Sequence, residues 1–298
     1  MERPLPADLH QLKRPSRSRK KALVPYALLA PGGLWILLFF IVPMVAMASL
    51  SLQQGSTLEG YTMTWHFANY SDALSANQEI LIRSLRNGAI VTVISLLLSY
   101  PVAYWIAFYG GKRRNGFLFL LLLPFFVSFV IRTVAWSFIL SDEGIVFGTL
   151  KNIGILPDSY HVIGTTLAVI AGITYNLLPF TILPLYVSLE QIDRRLVEAA
   201  KDLFSNRLQA FLKVVFPLSL PGVFAAVLLT FIPATGDYVN AGVLGGPGTS
   251  MIGNVINSEF IVRREYPEAA ALAFLLMMVM LVGAVLYARV LGTEQITT

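Results

Sequence analysis

Charge is distributed along this chain in blocks. Five stretches contain no Asp, Glu, Lys or Arg: Ala22 to Leu58, Asn87 to Gly111, Ser159 to Leu189, Val214 to Gly236 and Ala269 to Ala288. A sixth, Asn115 to Ser141, is interrupted only by Arg132. An α-helix needs about 20 mostly apolar residues to cross the hydrocarbon of a bilayer. Each stretch is long enough, which places spans near 24–50, 85–109, 116–140, 163–188, 216–238 and 268–289. Hydrocarbon offers no partner for free backbone groups, so the spans are helices. A β-barrel would show short alternating segments instead. The expected fold is an all-α polytopic membrane protein with six transmembrane helices. Residues 1–22 form a basic tail, and 23–292 form the membrane domain.

Between the fourth and fifth spans the pattern changes to helical periodicity without continuous apolarity. Apolar residues recur at Ile192, Leu196, Ala199–Ala200 and Leu203, then at Leu208, Phe211–Leu212 and Val215. That spacing predicts two short helices within 189–217. Asp193 is placed to cap the first. Ser205–Asn206 are turn formers between them, and Pro217 is expected to stop the second. Such a hairpin could rest on lipid, cap the ends of the spans, or insert into a groove of another protein.

Composition agrees with the pattern. Of 298 residues, 56% are hydrophobic and 13% are charged, about half the charge of a soluble domain. The tail 1–22 carries seven Lys and Arg, rich enough in Pro and Ser to read as disordered, with attraction to anionic lipid a secondary option. Sixteen of the 22 basic residues fall on the side of the tail, the 112–114 loop, the hairpin and Arg289, and five fall on the other. The excess of Lys and Arg marks the cytoplasmic side, so both termini are expected there. The first apolar stretch is too long for the core of a cleaved signal peptide. With no cysteine, disulfides and thiolate metal sites are excluded. The chain has no G-x-x-x-x-G-K-[ST], so any ATP would bind elsewhere, and the Gly245–Gly248 run reads as an outer turn. It lacks H-E-x-x-H and G-x-S-x-G as well, and its basic residues form no patch suited to nucleic acid.

Glu198-Ala199-Ala200, followed by Leu220-Pro221-Gly222, resembles the EAA loop of ABC importer permeases. The family carries Gly where this chain has Phe204. The likeness extends through Ser99-Tyr100-Pro101, Ile131-Arg132-Thr133, Leu183-Pro184-Leu185 and Pro233-Ala234-Thr235-Gly236-Asp237, over about 28–290. The set looks most like the first permease subunit of bacterial spermidine/putrescine importers. The resemblance implies an inner-membrane subunit paired with a second permease, two copies of an ATPase and an extracytoplasmic solute-binding protein. ATP and magnesium would belong to the ATPase, leaving no cofactor or metal and no catalytic residue on this chain. The hairpin, with Glu198, Ala199, Ala200, Lys201, Asp202 and Phe204, would couple to the ATPase.

A polycation path calls for carboxylates, aromatic faces and amide oxygens. Candidates are Asp237, Tyr238 and Asn240 at the end of span five, Tyr175 and Asn176 in span four beside Pro179, and Trp136 in span three. Each has a plainer alternative, in helix ends, packing or interface anchoring. Arg132 is awkward beside a polycation and is expected to pair with Asp142 or Glu143. If it faced the path, the substrate would be an anion. Glu259, Arg263, Arg264 and Glu265 are expected to line an outer loop that meets the binding protein, or simply a solvated face.

Overall fold

The computed structural model describes residues 19–202 and 206–291. The expected tail up to residue 18 lies outside the described residues, and so does Phe204. The chain divides into two units, the first ending at Ser49.

The first unit contains helix α1 (Arg19–Ile36), a π-helical turn at Leu37–Ile41 and most of helix α2 (Val42–Leu50). Leu28–Leu50 is apolar around its whole circumference and long enough to cross a membrane, yet none of it is buried within the chain. The rings of Trp35 and Phe39 meet at a tilt of 36° with centroids 4.4 Å apart. A rod that is apolar on every face requires lipid or a partner around it.

The second unit starts with a feature the charge pattern does not predict. Strands β1 (Gln53–Ser56) and β2 (Gly60–Met63) pair antiparallel, with Gln53 opposite Met63. Gly60 holds a φ of 83°, where a side chain would be strained. Helix α3 follows, Ala68–Tyr109, 42 residues long. It extends well before the expected start of span two, because Ala73, Leu81 and Ser84 bury a continuous face.

The expected third span is not straight. Helix α4 (Arg114–Leu122) passes through a 3-10 turn at Leu123–Phe126 and meets helix α5 (Phe129–Leu140) at 89°. Val127 and Ser128 are extended, with ψ of 139° and 138°. Extended backbone at two residues ends the α-helical ladder, and Pro124 has no N–H to continue it. Among the described residues five helices could therefore cross a membrane, or six if this bent pair is one span.

A short helix α6 (Phe147–Asn152) precedes α7 (Thr166–Glu190), whose first turn is capped by the Thr165 hydroxyl accepting from Ala168 N at 3.3 Å. The hairpin is present as α8 (Arg194–Asp202) and α9 (Arg207–Ala210). Pro217 does not stop the second helix. A π-helical turn at Phe211–Val215 carries α9 directly into α10 (Phe216–Thr235), so Arg207–Thr235 is one continuous rod of 29 residues. Pro217 directly follows the π-helical turn, and that wider turn accommodates its ring. The chain ends with α11 (Val239–Leu244), α12 (Ile252–Asn257), a π-helical turn at Ser258–Arg263 and α13 (Tyr266–Leu291).

Helices α3, α7 and α10 pack against one another as the centre of the unit, with α13 against α3. The approach is close. A Cβ on Gly222 of α10 would come 2.7 Å from the Pro184 carbonyl of α7. Small residues permit such contact, and van der Waals packing is what holds helices together in lipid. Polar pairs add to it: Tyr100 and Ser219 hydroxyls lie 2.7 Å apart, and Thr181 and Thr230 hydroxyls 2.8 Å apart.

Candidate functional site

At the hairpin end, Asp193 accepts from Arg195 N at 2.9 Å and so caps α8 as the sequence predicts. Asn206 caps α9 through a reciprocal box with Gln209, at 2.7 and 3.1 Å. The hairpin is seated firmly. Ile192 and Val215 are buried with Ala107 of α3 and Leu185 and Leu189 of α7, and Val197 and Phe211 pack on the same cluster. Arg194 donates to the Ala107 carbonyl at 3.1 Å, and Arg114 pairs with Glu190. The opposite side of the hairpin is open. Glu198, Ala199 and Asp202 are exposed, Ala200 is half-buried, and Leu196 and Leu208 are exposed apolar side chains. Lys201 lies in α8 beside them.

At the far end, three of the expected path residues come together. Asp237 lies between α10 and α11 and accepts from Asn240 N at 2.7 Å and from the Asn240 amide at 2.8 Å. The Asn240 oxygen in turn accepts from Asn176 of α7 at 3.0 Å and from the Thr133 hydroxyl of α5 at 3.0 Å. Asn176 also donates to Thr133 at 3.1 Å. Asn176, Asn240 and Thr133 are fully buried and Asp237 half-buried. This network ties four segments together, and both Asp237 oxygens hold the start of α11. Sequence reasoning passed over Thr133, whose only signal is a hydroxyl within an apolar span.

The other candidates lie apart from that network. Tyr175 and Trp136 meet edge to face at 5.2 Å. They line an open groove of about 600 Å³ with Ile90, Ile94, Leu98 and Leu178, almost entirely apolar. Tyr238 is 50% exposed.

Arg132 does not pair with Asp142 or Glu143. It is buried, and its guanidinium lies 4.8 Å from the Phe125 ring and makes no ion pair among the described residues. The 89° bend brings the Phe125 ring to Arg132. Asp142 is taken by Lys151 at 2.8 Å and His161 at 2.6 Å, and these bonds hold its carboxyl below the usual carboxylate range. Glu259, expected on a surface loop, is buried with one oxygen on Arg263 at 2.8 Å.

The chain was compared with known proteins. A family model described as "binding-protein-dependent transport system inner membrane component" matches residues 82–292. The chain is 36% identical to a Haemophilus influenzae protein named spermidine/putrescine transport system permease protein PotB, over 86% of this chain and 90% of that one. The Escherichia coli K12 protein of the same name is 34% identical, over 86% and 93%. Among solved structures, a bacterial ABC transporter involved in import of the acidic polysaccharide alginate matches with a TM-score of 0.72 at 21% identity, over 94% of this chain and 98% of that one. At that identity the likeness speaks for the fold. Another such transporter, in complex with an alginate pentasaccharide-bound periplasmic protein, matches with a TM-score of 0.71, over 95% and 99%. The family match over well over half of the chain agrees with the full-length relatives, and this protein belongs to the inner membrane components of binding-protein-dependent transport systems.

Proposed function

We propose that this chain is a permease subunit of an ATP-driven importer of polyamines, receiving spermidine or putrescine from a solute-binding protein. The observation that carries the reading is the 34–36% identity, over most of both chains, to permeases named for those substrates. The protein is a multi-pass membrane protein and not an enzyme.

The exposed side of the hairpin, with Glu198, Ala199, Ala200 and Asp202, would dock on an ATPase that holds ATP and magnesium, with Lys201 in the same helix and Phe204 in the sequence between α8 and α9 as further coupling residues. Closure of an ATPase pair would push on α8 and α9. That push has two rigid routes inward, the buried contacts of Ile192 and Val197, and the unbroken rod from α9 into α10. A second permease would complete the path, and the apolar groove of Trp136 and Tyr175 is a surface it could cover. Asp237, Asn240 and Asn176 would fix the wall of the path, with Tyr238 the exposed member of the group. The positive-inside pattern would put both termini in the cytoplasm and Asp237 toward the outside.

The test is ATP hydrolysis by the assembled complex in lipid with its co-encoded binding protein and a panel of solutes. Stimulation by spermidine or putrescine and not by anions is the expected result. One observation favours a second reading, an anionic solute: Arg132 is a buried cation with no carboxylate paired to it among the described residues. Stimulation by an anion alone would establish that reading instead.

A further inference from the structure

Among the described carboxylates, Glu259 is in an unusual position. Its side chain is 5% exposed, while the Arg263 that pairs with its Oε1 is 67% exposed. Its Oε2 is buried and has no hydrogen-bond partner among the described residues. A carboxylate oxygen removed from water without a donor is costly, so the position calls for a cation. Two more carboxylates, Glu265 and Glu268, lie half-buried at the start of α13 and act on Glu259 electrostatically. Burial pushes its carboxyl above the usual range against the pull of Arg263, and Glu268 and Glu265 add to the rise.

The segment around it is rigidly built. Arg264 adopts a left-handed conformation with φ of 60°. Its carbonyl accepts from the Tyr61 hydroxyl of β2 at 2.6 Å, and Glu265 N donates to the Glu259 carbonyl at 2.9 Å. Tyr266 lies beside these groups, its ring 5.1 Å from that of Phe260 and 5.6 Å from that of Tyr61. Aromatic faces next to carboxylates suit an alkylammonium. The spacing also discriminates. Among the described residues no three acidic or histidine side chains are close enough together to hold a metal ion. A compact divalent cation would need them to converge, whereas a chain with ammonium groups several bonds apart does not.

We propose that Glu259, with Glu265 and Glu268 beside it, is a receiving site for the ammonium groups of an aliphatic di- or polyamine, and that the Arg263 guanidinium is the group an incoming ammonium displaces. The site lies at the end of the bundle opposite the hairpin, where α12 and α13 pack on the start of α3. It rests on the polyamine reading, and it adds a second point of selection after the binding protein.

The experiment is equilibrium binding of radiolabelled spermidine, at low salt, to the assembled permease–ATPase complex in nanodiscs without its binding protein. Saturable binding is expected. Glu259→Gln should weaken it at least tenfold, and Arg263→Ala should tighten it several-fold by removing the competitor. Glu79→Gln, at an exposed carboxylate paired with Arg83, is the control and should leave binding unchanged. If both site variants bind as the parent does, or if Arg263→Ala weakens binding, the proposal is wrong. If Glu259→Gln does not assemble, the Arg263→Ala result decides. A parent complex that binds no spermidine, yet whose ATPase responds to spermidine-loaded binding protein, overturns the site and leaves the transport reading intact. Absence of that response overturns the transport reading itself.

Discussion

Two acidic corners of this permease look alike in sequence and differ in construction. Asp237 and Glu259 each sit next to a short helix that follows or precedes a span, and each is shielded from water. Asp237 has both oxygens engaged by Asn240, and through Asn240 it reaches Asn176 and Thr133. Glu259 has one oxygen on a solvent-facing arginine and the other without a partner among the described residues. A carboxylate whose bonds all stay within the chain stabilises a corner of the fold. A carboxylate left half-bonded keeps a bond available for something outside the chain. Acidity in a membrane protein is therefore a poor guide to substrate contact until the partners of each oxygen are known.

The comparison can be broken most forcefully at Asp237. Asp237→Ala leaves the Asn240 N–H and amide without acceptors, at about 2–3 kcal/mol for hydrogen bonds to a charged group. Thermal unfolding of the purified complex should shift down accordingly, and uptake should fall in proportion to folded protein with an unchanged half-saturating polyamine concentration. A raised half-saturation with unaltered unfolding would make Asp237 a substrate ligand and erase the contrast. Thr133→Val is a smaller cut in the same network. It removes one of two donors to the Asn240 oxygen, and about 1 kcal/mol of stability should go with it. An effect as large as that of Asp237→Ala would mean the network acts as one unit.

The smallest expected effect belongs to a third carboxylate, Asp142, which is fully paired but exposed. Its carboxyl is held below the usual range, so its contribution is present above the unfolded carboxylate value and lost as pH falls through the folded one. Hydrogen-exchange protection in 142–161, taken relative to the intrinsic rate at each pH, should therefore fall only in acid, and Asp142→Asn should remove most of that pH dependence. Protection that is lost near neutrality would point to another group.

The legible parts of this molecule were those that one segment encodes alone. Charge-free stretches located the apolar helices, and Asp193 announced the start of the hairpin's first helix. The missed parts depend on segments meeting. Nothing in the composition of 116–140 specifies an 89° bend, because hydropathy is blind to the ψ of Val127. The Arg132 expectation failed for the same reason: Asp142 is near in sequence, but Lys151 and His161 reach it instead. Thr133 could not be singled out because its two side-chain partners lie 43 and 107 positions away. Pro217 misled in the other direction, since the wider π-helical turn just before it accommodates the ring and the helix runs on.

The unbroken rod from Arg207 to Thr235 also fixes an angular phase. Each residue of a helix advances its neighbours by about 100° about the axis. A flexible joint would absorb an added residue, but the α-helical part of the rod, beyond the π-helical turn at Phe211–Val215, passes the whole rotation on. One residue inserted between Phe216 and Gly222 would swing the exposed edge of the hairpin by more than a quarter turn relative to the face of α10 that meets α7. The number of residues between those two surfaces is therefore as constrained as the residues themselves.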